Sequence, residues 1–500
     1  MPETGPSIIE DCRRILDDID IDPILASGLS RDLTKYHASV MYPPLKTMGP
    51  IQEGEIFSSR NNSCDEFTLY VHLPFCSGKC TFCYFYIDTK PTTSSIDRYL
   101  IYLKKEATLL SERVRRHHKK IRVHSMFFGG GSPTLMTNNQ FSDLLNHLGQ
   151  CFDIGGDCEA TVEIHPEILR GVVSHVQAKD LLENLRRNNI NRLNIGVQSF
   201  DDRLLEISNR RHTREESIKV YELAREVGFP NINLDLLYPL PDLTPEIWEE
   251  TLDVAFDLEP DSITTYFTAL NSSKFARFHA KSPQRFPDER TFHLMRIMAI
   301  EKAKEKGFDD GLLVDWFVKP KQGFHYQHQE KEVKDTGSYQ LLSLGSGAYS
   351  YYNDCQYYTY PDIDKYCELL EKDEFPCWRG SPLSAEEQLA RAMVLGIKAG
   401  AVELAAIEQS FGSGCLEKQY GRALEEMYEL ELLEKTEAEL RLTPRGVLFA
   451  DEVSVQFISR GVKTKLRERA WLDDPDRPDL ERYDFMYSTD ELKFYGERVL

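Results

Sequence analysis

Three cysteines within eight residues, Cys76, Cys80 and Cys83, directly follow an apolar run at residues 68–75 that is typical of a β-strand. A strand that ends in a short loop with three thiols places all of them on one rim of a sheet, where they can bind a soft metal centre. Iron-sulfur clusters are normally held by four thiolates, so three ligands leave one iron free to bind a small molecule. The spacing therefore predicts a cubane cluster with one open position.

Two other interpretations of these cysteines compete with the cluster. Free cysteines are often merely small buried residues, and a C-x-x-C pair can be half of a zinc site. Zinc sites usually combine such a pair with a second one, and the later cysteines, at 151, 158, 355, 367, 377 and 415, form no further C-x-x-C pair. The strand context and the spacing together favour the cluster.

Composition limits the compartment and the partners. The chain has 500 residues, 41% of them hydrophobic, and 81 acidic against 60 basic side chains give a formal net charge of −21. This balance opposes binding to nucleic acid or to an anionic membrane, and no apolar run is long enough to cross a bilayer. Eleven irregularly spaced cysteines are typical of reduced thiols. We expect a cytoplasmic protein without a nucleic-acid or membrane partner.

Between residues 68 and 270 the sequence alternates short β-branched runs with longer amphipathic stretches, which is typical of repeated βα units around a parallel sheet. Six units in series predict an α/β fold, a partial (βα)6 barrel. The predicted strands are Thr68–Leu73, Val123–Phe128, Ala160–Ile164, Arg192–Val197, Asn231–Leu236 and Ser262–Tyr266. The predicted helices between them are Ile96–Val114, Asn138–Gly149, Arg214–Val227 and Pro245–Leu258.

In such barrels function collects at the carboxyl ends of the strands. The second predicted strand ends in a glycine run at 129–131 followed by Ser132, and consecutive glycines let a backbone approach a ligand closely. Polar residues mark the ends of the next strands, with Glu163 and His165 on the third, Gln198 on the fourth and Asp235 on the fifth. For any one of these residues alone, a buried side chain with its hydrogen bonds satisfied, or a helix cap, is an equally good interpretation. Their repetition at equivalent positions predicts a binding site.

Beyond residue 270 the pattern changes. Residues 312–320 and 344–349 are expected to extend the sheet, whereas helices dominate from Ser384 onward, with a hairpin wing around residues 428–447. We therefore predict an N-terminal arm at 1–66, a barrel with a sheet extension at 67–375, and a mainly helical C-terminal domain with a winged-helix-like hairpin at 376–500. The polar stretch 321–338 matches no motif, and residues 473–479 are typical of an irregular surface segment.

Together these motifs resemble the radical S-adenosylmethionine superfamily and, within it, the family of oxygen-independent coproporphyrinogen III oxidase. The similarity runs from about residue 36 to about residue 458. It rests on C-x-x-x-C-x-x-C after a Y-V-H-x-P-F strand, on G-G-G-[ST]-P-T, V-E-x-x-P and G-V-Q-x-F, on an N-x-D-L-x-Y-x-L-P strand, and on Trp378-Arg-Gly380. As a set, these motifs are specific.

The resemblance implies a [4Fe-4S] cluster on Cys76, Cys80 and Cys83, with S-adenosylmethionine bound to the open iron. The positions that match contacts to this first molecule are Tyr70, Gly130, Gly131, Glu163, Ala269 and Tyr349. Those that match a second S-adenosylmethionine are Ser132, Gln198, Arg210 and Asp235, of which Gln198, Arg210 and Asp235 are the candidate catalytic residues. For Arg210, a helix-end cation is the competing interpretation.

Departures from the family pattern limit which reaction of the family this chain is expected to catalyse. The oxidases have a fourth cysteine two positions after the third, where this chain has Phe85, and the glycine of the oxidase Y-G-L-P strand end is Pro239 here. The stretch 323–339 also lacks the expected aromatic and glycine pattern. Heme-carrier relatives lack the fourth cysteine too, but they begin close to the cysteine strand, whereas about sixty residues precede it here. That leader resembles the arm of proteins that enclose two cofactor molecules.

These features favour a class C radical methyltransferase or cyclopropanase that acts on an sp2 carbon in natural-product biosynthesis. The alternatives are a coproporphyrinogen oxidase-like decarboxylase or other tetrapyrrole enzyme, and a heme-binding carrier with little turnover. We expect a small-molecule substrate, a flavodoxin- or ferredoxin-type electron donor and a monomer.

Overall fold

The computed structural model describes residues 7–29, 42–58, 66–83, 85–170, 177–268, 274–311, 313–320 and 340–468. The predicted cofactor contact Ala269, the polar stretch 321–338, the segment 473–479 and most of the family-like leader sequence lie outside these ranges. In the described part of the chain, no helix is both long and apolar enough to span a membrane.

Three helices and a short strand precede the barrel in the described part of the chain. The chain forms α1 at Ile9–Ile19, α2 at Asp22–Ala26, β1 at Gly49–Pro50 and α3 at Glu53–Ile56. Strand β1 pairs antiparallel with a strand at residues 377–382, with Gly49 opposite Gly380. The predicted arm is therefore part of the main sheet.

Six parallel strands form the centre of the fold in the predicted order, which confirms the partial (βα)6 barrel. Most of their residues are buried because helices cover the outer face, which accounts for their apolar runs. The strands are β2 at Glu66–Leu73, β3 at Arg122–Gly130, β4 at Asp153–Ile164, β5 at Arg192–Gln198, β6 at Asn231–Tyr238 and β7 at Ser262–Phe267.

The covering helices begin at well-defined caps. Thr92, Thr137 and Thr213 each accept a hydrogen bond from the backbone three residues later, in reciprocal capping boxes that satisfy otherwise unpaired N–H groups. The helices are α4 at Thr93–Val114, α5 at Asn138–Cys151, α6 at Ala178–Arg187, α7 at Asp202–Ile207, α8 at Arg214–Val227 and α9 at Pro245–Asp257. Helices α6 and α7 are not among the four predicted from the sequence.

Both edges of the barrel sheet are extended, as expected. After α10 at Lys274–Lys281 and α11 at Glu289–Glu305, strands β8 at Asp309–Asp310 and β9 at Trp316–Val318 join the β7 edge antiparallel. At the other edge, β10 at Gln340–Leu344 runs parallel to β2. It is followed by the antiparallel strands β11 at Tyr349–Tyr352, β12 at Cys355–Thr359 and β13 at Cys377–Pro382, with helix α12 at Ile363–Glu371. The mixed sheet has thirteen strands.

A buried acid joins the sheet extension to the barrel behind the cysteine strand. The side chain of Glu106 on α4 accepts hydrogen bonds from the Gly345 N–H at 2.7 Å and the Tyr366 hydroxyl at 2.6 Å. Burial raises the pKa of Glu106 to about 8. On the same side of α4, the Tyr99 hydroxyl donates to the His72 carbonyl at 2.9 Å. These bonds fix the end of β2 from behind.

The C-terminal part is helical with a small three-stranded sheet, as predicted. Its hairpin, β15 and β16, packs beside β14 and has the arrangement of a wing. Strand β13 follows the predicted domain boundary at 375/376 but belongs to the main sheet. The boundary itself stays a prediction. The elements are α13 at Ala385–Lys398, β14 at Ala401–Glu403, α14 at Leu404–Phe411, α15 at Cys415–Glu429, β15 at Leu433–Lys435, β16 at Glu439–Leu442, α16 at Pro444–Leu448, α17 at Ala450–Ser454 and α18 at Arg460–Glu468.

Candidate functional site

One cavity at the carboxyl ends of β2 to β6 brings together ten of the thirteen residues that the sequence predicts as site residues. The cavity has a volume of about 170 Å³ and is partly open to solvent. The ten residues are Cys76, Cys80, Cys83, Gly130, Gly131, Ser132, Glu163, Gln198, Arg210 and Asp235.

The cysteine loop is held by backbone hydrogen bonds at both ends. The Cys76 N–H donates to the Asp88 carbonyl at 2.9 Å, and the Thr81 N–H donates to the Ser208 carbonyl, just beyond α7, at 3.0 Å. The loop is therefore fixed at Cys76 by Asp88, which follows it closely in the chain, and at Thr81 by Ser208, more than a hundred residues later. All three cysteines are half-buried and free of disulfides.

The three thiols line one cavity, where they could hold a cluster. Across the described ranges, no group of three or more His, Cys, Asp or Glu side chains has the arrangement that a single metal ion needs. Each thiolate ligand of an iron-sulfur cubane binds a different iron, so the ligands lie farther apart than those of a single metal ion. Burial, and then the neighbouring thiols, raise the pKa of Cys76 to about 12 and that of Cys83 to about 11. A bound cationic metal centre would stabilise the thiolates and so lower these pKa values.

The glycine run at the end of β3 lies against the backbone that leads into the cysteine loop. The Gly131 N–H donates to the Leu73 carbonyl at 2.9 Å, and the Ser132 N–H donates to the Phe75 carbonyl at 2.6 Å. A β-carbon at Gly131 would lie 2.5 Å from both of these carbonyl oxygens, and Gly130 has a φ of +99°. Only glycine permits this approach.

Two buried carboxyl groups lie on different strands of the cavity. Glu163 on β4 accepts a hydrogen bond from the Gly130 N–H at 3.1 Å, and Asp235 on β6 accepts one from the Asn233 side chain at 2.6 Å. Burial raises the pKa of Glu163 to about 8, with Asp235 as the second cause, and burial raises the pKa of Asp235 to about 7. Buried acids with raised pKa values in a cavity indicate a site for a polar or cationic ligand.

Arg210 and Gln198 lie between these acids, near the end of β5. The Arg210 guanidinium donates to the Gly196 carbonyl and lies 3.7 Å from the Cys80 sulfur. Its side chain therefore turns into the cavity, and the alternative of a helix-end cation that serves α7 does not hold. Gln198 ends the strand with a φ of +71°, a conformation that is unusual for a residue with a side chain.

The cavity residues that the sequence alone missed include Ser77, Asn194, Glu167 and Arg211. Asn194 lies two and four residues before Gly196 and Gln198, so all three are on the same face of β5. This spacing could have identified Asn194 from the sequence. The Ser77 hydroxyl donates to Glu167 at 2.5 Å across ninety residues, a contact without a sequence signature. His165, a candidate from the sequence, also lines the cavity, and burial holds its pKa well below the ordinary value.

Tyr70 and Tyr349 are predicted cofactor contacts that do not line this cavity. Both pack in a small apolar cluster with Leu341 in the sheet extension. The Tyr70 hydroxyl lies 3.0 Å from the Nδ1 of His72, whose ring adjoins Gly130. The two tyrosines thus lie behind the cavity wall, and their role as cofactor contacts stays a prediction.

Comparisons with known proteins find family models and relatives that resemble this chain. A model of the radical SAM superfamily matches residues 70–255, and a model of the HemN C-terminal domain matches residues 383–449. The heme chaperone HemW of Bacillus subtilis is 26% identical over 78% of this chain and 98% of its own length. The oxygen-independent coproporphyrinogen III oxidase of Escherichia coli is 26% identical over 65% of this chain and 70% of its own length.

A solved structure confirms the architecture. The structure of coproporphyrinogen III oxidase (HemN) from Escherichia coli, described as a radical SAM enzyme, superimposes with a TM-score of 0.73 over 85% of this chain and 96% of the oxidase, at 24% identity. This likeness shows the fold. The predicted methyltransferase or cyclopropanase subtype finds no support in these relatives, which are named for coproporphyrinogen oxidation and for heme.

Replacing Gly131 by alanine is expected to disturb the cysteine loop. The new β-carbon would overlap two backbone oxygens, which cannot rotate away, so the unfolding free energy should fall by about 1–3 kcal/mol. Iron bound per chain after anaerobic reconstitution should fall as well. Gly149→Ala on α5 is the matched control, because a β-carbon there meets no atom within 4 Å. Full iron content in Gly131→Ala would contradict this account of the loop.

Proposed function

We propose that this chain, a radical SAM protein of the HemN/HemW type, cleaves S-adenosylmethionine reductively and uses the resulting radical on a tetrapyrrole. A single observation carries the proposal: the three thiols line the same cavity as Glu163, Arg210 and Asp235. A bound [4Fe-4S] cluster would supply the electron that cleaves the sulfonium C–S bond to give a 5′-deoxyadenosyl radical. The residues of the chain bind, orient and shield the reactants.

In this proposal the first S-adenosylmethionine lies between the cysteine loop and the end of β3. Cys76, Cys80 and Cys83 would hold the cluster and leave it one position at which this ligand could bind. The backbone at Gly130 and Gly131 lies alongside, and Glu163 accepts from a donor of the ligand, as it does from the Gly130 N–H in the structure. An ionised Glu163 would also complement the positive sulfonium.

The lining of the cavity is suited to a tetrapyrrole. Phe82 and Phe85 supply aromatic surface for a macrocycle, and Arg211 supplies a cation for a propionate carboxylate. Phe85 stands where the oxidases have the fourth cysteine, so a reaction that needs that thiol is disfavoured. We therefore propose a tetrapyrrole reaction other than the decarboxylation of coproporphyrinogen. His165, held neutral by burial, is a candidate proton acceptor.

A second S-adenosylmethionine is the finer part of the proposal. Its predicted contacts, Ser132, Gln198, Arg210 and Asp235, line the cavity from the end of β3 to β6. Glu163 and Asp235 are separated by β5, which leaves one carboxylate for each molecule. Asp235 can accept from ribose hydroxyls, and Arg210 can pair with a carboxylate. Because of this arrangement, we retain methyl transfer to the tetrapyrrole as a second candidate reaction.

Asp235→Asn is expected to remove the second S-adenosylmethionine and leave the first. The amide keeps the volume of the side chain but loses the charge and one acceptor. Equilibrium dialysis of the reconstituted protein with labelled S-adenosylmethionine should give two molecules per chain for the wild type and one for the variant. Asp180→Asn on α6, an exposed position, is the matched control and should keep two. A wild type that saturates at one molecule per chain would rule out the second site.

Product analysis tests the reaction itself. Anaerobic incubation with dithionite, S-adenosylmethionine and either coproporphyrinogen III or heme should yield 5′-deoxyadenosine together with a tetrapyrrole of changed mass. Cys80→Ser should abolish both products because it removes a cluster ligand, whereas Cys415→Ser on α15, outside the site, should retain them.

Two other outcomes would change the proposed reaction. An equal yield of S-adenosylhomocysteine, with a matching mass gain on the tetrapyrrole, would assign methyl transfer. Tight heme binding with no 5′-deoxyadenosine above background would contradict an enzyme and indicate a carrier.

A further inference from the structure

A basic segment without acidic residues lies next to the candidate site. Residues 262–287 contain no Asp or Glu, although the chain has 81 of them in 500 residues, a frequency at which roughly four would be expected here. The segment contains four Lys and Arg residues, all of them between 274 and 285. Its charge is therefore opposite to that of the chain as a whole, which is −21.

Helix α10 carries three of these cations, Lys274, Arg277 and Lys281, and lies against the cysteine loop. The Phe275 N–H donates to the Thr81 carbonyl at 3.2 Å, and the rings of Phe275 and Phe82 are 6.4 Å apart. Phe275 is buried, with 2% of its surface exposed. One face of the helix is thus fixed to the loop that carries the thiols.

The remaining face of α10 presents three cations to solvent. Lys274, Arg277 and Lys281 are exposed and recur at the spacing of one helical face. None of the three makes an ion pair with a described residue, whereas Arg285 pairs with Asp242. We call Lys274, Arg277 and Lys281 the α10 basic face.

The α10 basic face is outside the cavity, so it is not placed to hold the carboxylates of a substrate. The cavity has its own cations, Arg210 and Arg211, and no residue of α10 is among those that line it. Three solvent-facing cations without ion-pair partners, on a strongly acidic protein, fit a partner that approaches from outside with negative charge.

We infer that the α10 basic face docks a small acidic electron-transfer protein of the flavodoxin type. The inference rests on the proposed function, since reductive cleavage of S-adenosylmethionine needs one external electron. The carrier is oxidised by one electron, and the cluster behind the cysteine loop accepts it. The overall charge of −21 would repel an acidic carrier, so a local basic surface is needed to steer it to the loop.

The experiment reverses the charge of this face and measures binding directly. The variant Lys274→Glu/Arg277→Glu/Lys281→Glu is compared with Lys119→Glu/Lys418→Glu/Arg422→Glu, which reverses three exposed cations elsewhere and has the same net charge. Calorimetric titration of each reconstituted protein with flavodoxin at low ionic strength should show binding at least tenfold weaker for the α10 variant. The control should remain within about twofold of the wild type.

The formation of 5′-deoxyadenosine gives a second measurement. Flavodoxin with its NADPH-dependent reductase should support a rate at least tenfold lower in the α10 variant, whereas dithionite, a small reductant that needs no docking, should support the same rate in all three proteins. Unchanged flavodoxin binding by the α10 variant would overturn the inference, and so would an equal loss of the rate with dithionite. If the wild type forms no 5′-deoxyadenosine even with dithionite, the proposed function fails, and the titration still decides whether this face docks the carrier.

Discussion

The close approach of two strand ends, β2 and β3, is the constraint on which the candidate site depends. Gly131 fits between the carbonyl oxygens of Leu73 and Phe75 and leaves no room for a side chain. This contact sets where the chain turns into the cysteine loop and where Ser132 enters the cavity. Behind it, Tyr99 and the buried Glu106 hold the end of β2 and the neighbouring loop. The thiols are positioned by a backbone contact that tolerates almost no displacement.

Burial gives the cavity its chemistry. Glu163 and Asp235 have raised pKa values and His165 a lowered one, because each would have to carry its charge away from water. Such groups weaken the ligand-free fold, and a ligand with complementary charge offsets that cost. A cationic sulfonium and an amino group are ligands of that kind. In the proposed reaction, the same burial would help to shield the radical from water.

The features that sequence reasoning predicted are those that local pattern encodes. The six strands follow from short apolar runs, and Gln198 and Asp235 follow from their positions at strand ends. The contact between Ser77 and Glu167 could not be predicted, because it depends on packing between distant segments. Helix α10 was missed because its short pattern is dominated by Lys and Arg, and its importance comes from the loop it touches. The methyltransferase subtype rested largely on single departures such as Phe85, which argue against one reaction without specifying another.

The central claim is that three thiols hold a [4Fe-4S] cluster whose fourth iron binds S-adenosylmethionine. Mössbauer spectroscopy of protein reconstituted with ⁵⁷Fe tests it directly, because the technique distinguishes the iron sites within one cluster. We predict that S-adenosylmethionine shifts the signal of one iron in four and leaves the other three unchanged. A spectrum that does not respond to S-adenosylmethionine, or a chain that binds zinc in place of iron, would contradict the account.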